Sequence, residues 1–224
     1  MSQTSSAKDS QKLVYEGGVG EIVEKKSRFI ATVLPVNSEA EATAFIERTK
    51  KQYWDARHNC HAFVIGANNE ISRCSDDGEP SGTAGKPMLD VLLGQKLHNT
   101  AVVVTRYFGG VLLGTGGLVR AYQRAVLEGL ANSVIIEKTA GYQLKITTDY
   151  TGIGKLQYLA ASEGLHIINT DYTDIVVADV LTDELSKDSF VKKLTEATSG
   201  DVSVEESDKI YFAIVDSKPV IFES

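Results

Sequence analysis

The sequence predicts an α+β protein of two domains, and three observations carry that expectation. Short β-branched apolar runs alternate with amphipathic stretches along all 224 residues. Charge is unevenly placed: 15 Lys+Arg face 15 Asp+Glu through residue 137, and 8 face 15 beyond it, so the whole net charge of −7 belongs to the second part. All seven arginines (28, 48, 57, 73, 106, 120 and 124) lie in the first part. A neutral, arginine-bearing part followed by an acidic, lysine-only part indicates two different surfaces. Hydrophobic residues at 42% and charged residues at 24% suit a globular chain. The acidic balance argues against indiscriminate nucleic-acid binding, which goes with a basic domain.

The elements follow in order. The polar start, MSQTSSAKDSQ, has no apolar core of a signal peptide, so residues 1–18 are expected as a flexible tail and the cytoplasm as the location. No run of about eighteen apolar residues predicts a membrane span. SRFIATVLPV (27–36) reads as a strand closed by Pro35. NSEAEATAFIERTKKQY follows as a helix, with Asn37 or Ser38 as its cap and Glu41 at capping-box spacing from Ser38. Tyr53 and Trp54 at its end are expected in the core. CHAFVIGA and EISRCS form a hairpin around Asn68–Asn69. MLDVLLGQKLH (88–98) reads as a helix and TAVVVTRYF (100–108) as a strand buried on both faces. LVRAYQRAVLEGLANS is an amphipathic helix, and the first domain, 19–137, ends after it. From 138 to 224 the order is strand (GYQLKITTD), helix closed by Gly164, two strands, helix closed by Gly200, and strand (SDKIYFAIV). That βαββαβ order is the split-βαβ, ferredoxin-like plan. The second domain holds one histidine, His166, at a strand start, where a structural role is expected.

Three stretches carry candidate chemistry. In SDDGEPSGTAGKPM (75–88), Gly78, Gly82 and Gly85 permit unusual backbone angles and two prolines fix theirs, which describes a shaped loop. Asp76, Asp77 and Glu79 are oxygen ligands of the kind that hold Mg²⁺. Ser81, Thr83 and backbone N–H groups are instead suited to an anion. A solvated connector between hairpin and helix is the plain alternative. The second stretch, RYFGGVLLGTGGLVRAYQRA (106–125), passes from a buried strand through Gly109, Gly110 and Gly114 to a helix opening at Gly116 and Gly117. Free N–H groups at a helix start attract anions, and Arg106, Arg120 and Lys86 add charge. Tyr107 and Phe108 could stack on a base if exposed. Close helix–strand packing, with an Arg124–Glu128 surface pair, is the alternative. The pattern G-x-x-x-x-G-K-S/T of a P-loop is absent, as is the dinucleotide fingerprint. The third stretch, RHNCH (57–61), has metal-ligand residues, but His58 and Cys60 share one face of a strand and His61 takes the other, so they do not converge. Cys60 is expected as a small buried hydrophobe, and both cysteines, Cys60 and Cys74, as free thiols.

KKSRFIA (25–31), ARHNCHAFVIG (56–66), SDDGEPSGTAGKPM and VVVTRYFGGVLLGTGGLVRAY (102–122) together resemble the IMPACT family, in particular its two-domain bacterial members. The resemblance implies a first domain with the α+β sandwich fold shared by a ribosomal-protein domain, the fourth domain of elongation factor G and small-molecule kinases. It implies a second domain similar to the fifth domain of elongation factor G. Eukaryotic relatives regulate a translation-initiation kinase pathway through protein contacts, and the family has no established catalytic residues. The expectation is a translation-associated regulatory or binding protein. It would contact ribosome, structured RNA or a translation factor through Gly78, Glu79, Gly82, Gly85, Lys86, Arg106, Gly109, Gly114, Gly116, Gly117, Arg120 and their neighbours. The alternatives are an enzyme acting on a phosphorylated or anionic small molecule, and a protein–protein adaptor. No cofactor is expected beyond Mg²⁺ at Asp76, Asp77 and Glu79.

Overall fold

In the computed structural model, which describes residues 10–222, the first unit (Gln11–Ile136) is built on a sheet whose middle strand is apolar on both faces. Its elements are β1 (Ser10–Glu16), β2 (Val19–Glu24), β3 (Ser27–Pro35), α1 (Glu39–Gln52), β4 (His58–Ile65), β5 (Ile71–Ser75), α2 (Gly85–Gly94), β6 (Leu97–His98), β7 (Thr100–Tyr107) and α3 (Thr115–Ala131). Five strands pair in the order β2-β3-β7-β4-β5, all antiparallel. β7 is buried from Thr100 to Arg106 because helices cover both faces. Val102 and Val104 point to the side of α2 and α3, where they join Ala31, Val33, Ala62, Met88 and Ala125 in one core. Ala101 and Val103 point to α1 and pack with Phe45, Ile46 and Phe63 in another. The α1 start is capped as its sequence implies: Ser38 Oγ accepts from Glu41 N at 3.2 Å, and the Glu41 carboxylate accepts from Asn37 N at 2.8 Å.

Three expectations for this unit need correction. The tail is shorter than 18 residues, since Ser10–Glu16 is a strand that buries Val14 completely and pairs in parallel with β6; residues 1–9 lie outside the described residues. The helix expected over 88–98 begins at Gly85 and ends at Gly94, and Leu97–His98 belongs to a strand. Trp54 is 82% exposed, because α1 ends before it and the chain turns there.

The chain continues through β8 (Val134–Thr148), and the second unit runs from Glu137 on. It adds α4 (Gly152–Glu163), β9 (His166–Tyr172), β10 (Val176–Asp183), α5 (Lys187–Ala197), β11 (Ser203–Glu206), β12 (Ile210–Val215) and β13 (Lys218–Phe222). Strand order β9-β10-β8-β11, antiparallel throughout, interleaves two βαβ units, and Leu144, Ile146, Leu156, Val180, Phe190 and Leu194 form the core beneath α4 and α5. The ferredoxin-like order is therefore present, with one correction. Its fourth strand is β11, while β12, the expected one, pairs farther back along β8 and carries β13 as a hairpin. Gly164 closes α4 in the left-handed region at φ +68°.

Candidate functional site

The acidic loop 76–84 is wired into the first unit. Asp76 accepts backbone N–H groups from Gly82 (2.8 Å), Ala84 (3.0 Å) and Gly85 (2.8 Å). Its carboxylate thus caps α2, whose N-cap residue, Ala84, offers no side chain. Burial acts to raise the Asp76 pKa, and the three N–H groups outweigh it, holding the carboxyl below its ordinary value. Asp77 takes the left-handed conformation (φ +44°) and its two oxygens accept from Lys50 Nζ (2.9 Å) and Asn59 N (2.7 Å). There too the Asn59 and Lys50 contacts overcome desolvation and lower the pKa. Thr83 Oγ1 donates to the Pro80 carbonyl at 2.6 Å. A Cβ on Gly85 would lie 2.7 Å from the Ser75 carbonyl carbon, so only glycine lets α2 start this close to β5. Ser81 and Gly82 are exposed at the loop's tip.

Glu79 points inward. Its Oε1 accepts from Arg106 Nη1 (2.6 Å) and Tyr122 OH (2.8 Å), with side-chain exposures of 3% for Glu79 and 7% for Arg106. Sheet register explains the rest of the cluster: His58 of β4 and Phe29 of β3 stand opposite Arg106 on β7, so all three share a face. The Arg106 guanidinium lies 5.3 Å from the Phe29 ring centre and 5.6 Å from that of Phe108. Its Nε is buried without an acceptor. His58 Nδ1 is 2.8 Å from the Asp77 carbonyl, which only accepts, so in the neutral ring Nδ1 carries the proton and Nε2 faces away, 3.9 Å from Glu79 Oε1. Cys60 Sγ donates to the Asp76 carbonyl (3.0 Å) and lies 3.3 Å from Tyr122 OH. Burial pushes the Cys60 thiol up to about 12, the profile of an inert structural thiol. Burial likewise raises Tyr122, reinforced by Cys60 and Glu79.

A cleft of about 450 Å³ opens beside this cluster. Gly78, Glu79 and Pro80 form one wall; Phe108, Leu112 and Leu113 form the other; Gly114, Thr115 and Leu118 of the α3 start close one end; Arg57, His58 and Arg106 complete it. The two glycine-bearing loops thus meet, as their flanking of α2 and β7 implies. Not every candidate is there. Lys86 pairs with Asp90 at 2.6 Å on the exposed side of α2. Arg120 lines a separate hollow of about 120 Å³ with Lys25 and Arg124, and Arg124 pairs with Glu24 (3.0 Å) in place of Glu128. Tyr107 faces away from Arg106 by strand alternation; its hydroxyl donates to Asp55 at 2.8 Å. Gly109 packs on the Lys26 backbone, where a Cβ would lie 2.0 Å from the carbonyl carbon, and its N–H donates to Ser27 Oγ. Gly110 (φ +83°) and Gly114 (φ +71°) turn the chain, and Gly116 and Gly117 form the first turn of α3. Asp76, Asp77 and Glu79 each face different protein donors, and among the described residues no group of three His, Cys, Asp or Glu is placed to hold a metal ion. Sequence reasoning missed Arg57, Tyr122 and the place of His58 in the cleft wall. The apolar spacing of Leu118, Ala121, Tyr122 and Ala125 was the available signal for Tyr122.

Fold and site define an α+β chain of two units, the first bearing an arginine-walled cleft and the second a split-βαβ sheet. Residues 25–130 match the Impact N-terminal domain, and residues 146–201 match a domain of unknown function, DUF1949. The chain is 42% identical over 198 residues to IMPACT family member YvyE of Bacillus subtilis, covering 88% of this chain and 91% of that one. It is 37% identical over 182 residues to IMPACT family member YigZ of Escherichia coli, covering 80% and 89%. A crystal structure described as that of an hypothetical protein is 35% identical, covers 87% of this chain and 96% of its own, and superposes with a TM-score of 0.56. The chain belongs to the IMPACT family.

Proposed function

We propose that this IMPACT family member is a translation-associated binding protein that recognises its partner, a ribosomal component, structured RNA or a translation factor, through the cleft beside Arg106. The observation that carries the reading is a buried guanidinium, paired with Glu79 and stacked near Phe29 and Phe108, at the wall of an open cleft with an apolar rim. Arginine and aromatic residues in such settings dominate recognition energy. The role that the family resemblance implies for eukaryotic relatives supports the translation context. Among the partners, a protein is favoured over nucleic acid, because three of the surface cations that would serve phosphates are engaged by carboxylates: Lys86 by Asp90, Arg124 by Glu24 and Arg28 by Glu21. The test is sedimentation of the full chain from lysate through sucrose gradients at low and moderate salt. Co-migration with ribosomal particles supports the reading, and its salt dependence sorts partners, since phosphate contacts are lost steeply with salt. Migration as free protein at both salts overturns it.

A second reading, an enzyme acting on an anionic small molecule, draws on His58. Its Nδ1 is held by the Asp77 carbonyl and its Nε2 is available at the cleft wall, the arrangement of a general base. Turnover of a screened anionic compound that His58→Gln abolishes would establish it.

A further inference from the structure

We infer that the cleft beside Arg106 takes a single carboxylate carried on an apolar body. The inference rests on the cleft being the recognition site and names the ligand class it fits.

Arg57, exposed at the rim, has no carboxylate within ion-pair distance among the described residues; it lies 5.8 Å from the Phe108 ring centre. Arg106, in the cleft wall, spends Nη1 on Glu79 and has a buried Nε–H with no acceptor, so its charge is only partly satisfied by the protein. The 17-residue α3 begins at the cleft end with no side-chain cap. The first-turn N–H groups of a helix lack intrahelical acceptors and favour an anion. The protein uses this chemistry itself one helix away, where the Asp76 carboxylate accepts Ala84 and Gly85 N–H at the start of α2. At α3 no carboxylate among the described residues performs that task.

The ligand carries one negative charge. Glu79 stands in the same wall and offsets Arg106, leaving Arg57 and the helix start as the net positive sources. A phosphate ester, with about −1.5 to −2 charges at neutral pH, would meet repulsion from Glu79 that a monoanion largely escapes. The apolar body is set by the remaining walls: Leu112 is 82% exposed, Phe108 39%, and Leu113, Leu118 and Pro80 lie beside them. The volume falls in the ~300–1,000 Å³ range of small-ligand sites. His58 Nε2 accepts from a hydroxyl or amide N–H next to the carboxylate.

The test is a ¹H–¹⁵N titration of the full chain with N-acetyl-leucine, its primary amide, isobutyl phosphate and a pentapeptide ending in leucine. The expected result is that N-acetyl-leucine shifts the amides of Thr115, Gly116 and Phe108, and that the primary amide does not. Arg57→Ala, an exposed position that leaves the fold intact, weakens binding about tenfold (~1.4 kcal/mol). Lys86→Ala leaves it unchanged. Tighter binding by the peptide identifies a protein C-terminus as the source; equal binding identifies a small acid. No shifts, equal binding of the amide, or preference for the phosphate overturns the inference. Loss of particle co-migration in Arg57→Ala without carboxylate binding would leave the proposed function standing with another ligand. Carboxylate binding with no co-migration would do the reverse.

Discussion

Arg106 and Glu79 are the residues on which the first unit's site depends, and their burial sets the outcome of changing either. Removing one partner strands the other charge, so Arg106→Met is expected to cost about 3–5 kcal/mol in urea denaturation. The double variant Arg106→Met/Glu79→Gln should regain much of that loss, because nothing charged is left buried. Cys60 gives a pH signature. Its folded pKa is raised from 9.0 to about 12 by burial, so the linked stability is complete below pH 9.0 and is lost as pH rises toward 12. Stability should fall by up to about 1.4 kcal/mol per pH unit in that window, and Cys60→Ala should flatten the slope. The same residues show where sequence reading of the site stopped. The loops of Asp76–Gly85 and Phe108–Gly117 were legible because glycine, proline and acid cluster there. Tyr122 and His58 were not, since only strand register and the α3 helix bring them to Glu79, and Arg57 was not, since only folding sets it beside Phe108 at the cleft rim. Lys86 and Arg120 misled because sequence proximity to a loop does not say which helix face a cation occupies.

At the scale of elements, the acidic loop acts as a detached cap. Asp76→Asn replaces a carboxylate that accepts three N–H groups, Gly82 in the loop and Ala84 and Gly85 at the α2 start, and a loss of about 2 kcal/mol is expected by thermal or urea unfolding. The stability linked to Asp76 is fully present above its ordinary value of 3.8 and is lost as pH falls through its lowered value; the variant should lack that acid limb. Ser38→Ala at the α1 cap should cost about 1 kcal/mol by the same measurement. Elements with strong local signals were legible: α1 through its capping box, β7 through its β-branched run, α4 and α5 through Gly164 and Gly200. β1 escaped because its one fully buried residue, Val14, sits in a polar segment. β11 escaped because four residues with two glutamates carry no apolar alternation.

For the whole molecule, the division into two units follows the charge split seen in the sequence, with the acidic excess in the unit that begins at Glu137. No described helix is long and apolar enough to cross a membrane. The arginines stay with the first unit and differ in setting: Arg28 and Arg124 are held by glutamates at the surface, Arg106 is held by Glu79 in the cleft wall, and Arg57 lines the cleft rim. In the proposed function, recognition belongs to the cleft and not to the Lys86 and Arg120 faces. It is tested most directly by running two double variants in the same sucrose gradient at low salt. The expected result is that Arg57→Ala/Phe108→Ala releases the protein from ribosomal particles while Lys86→Ala/Arg120→Ala co-migrates like the unaltered chain. Release by the Lys86/Arg120 pair with retention of the Arg57/Phe108 pair would contradict it.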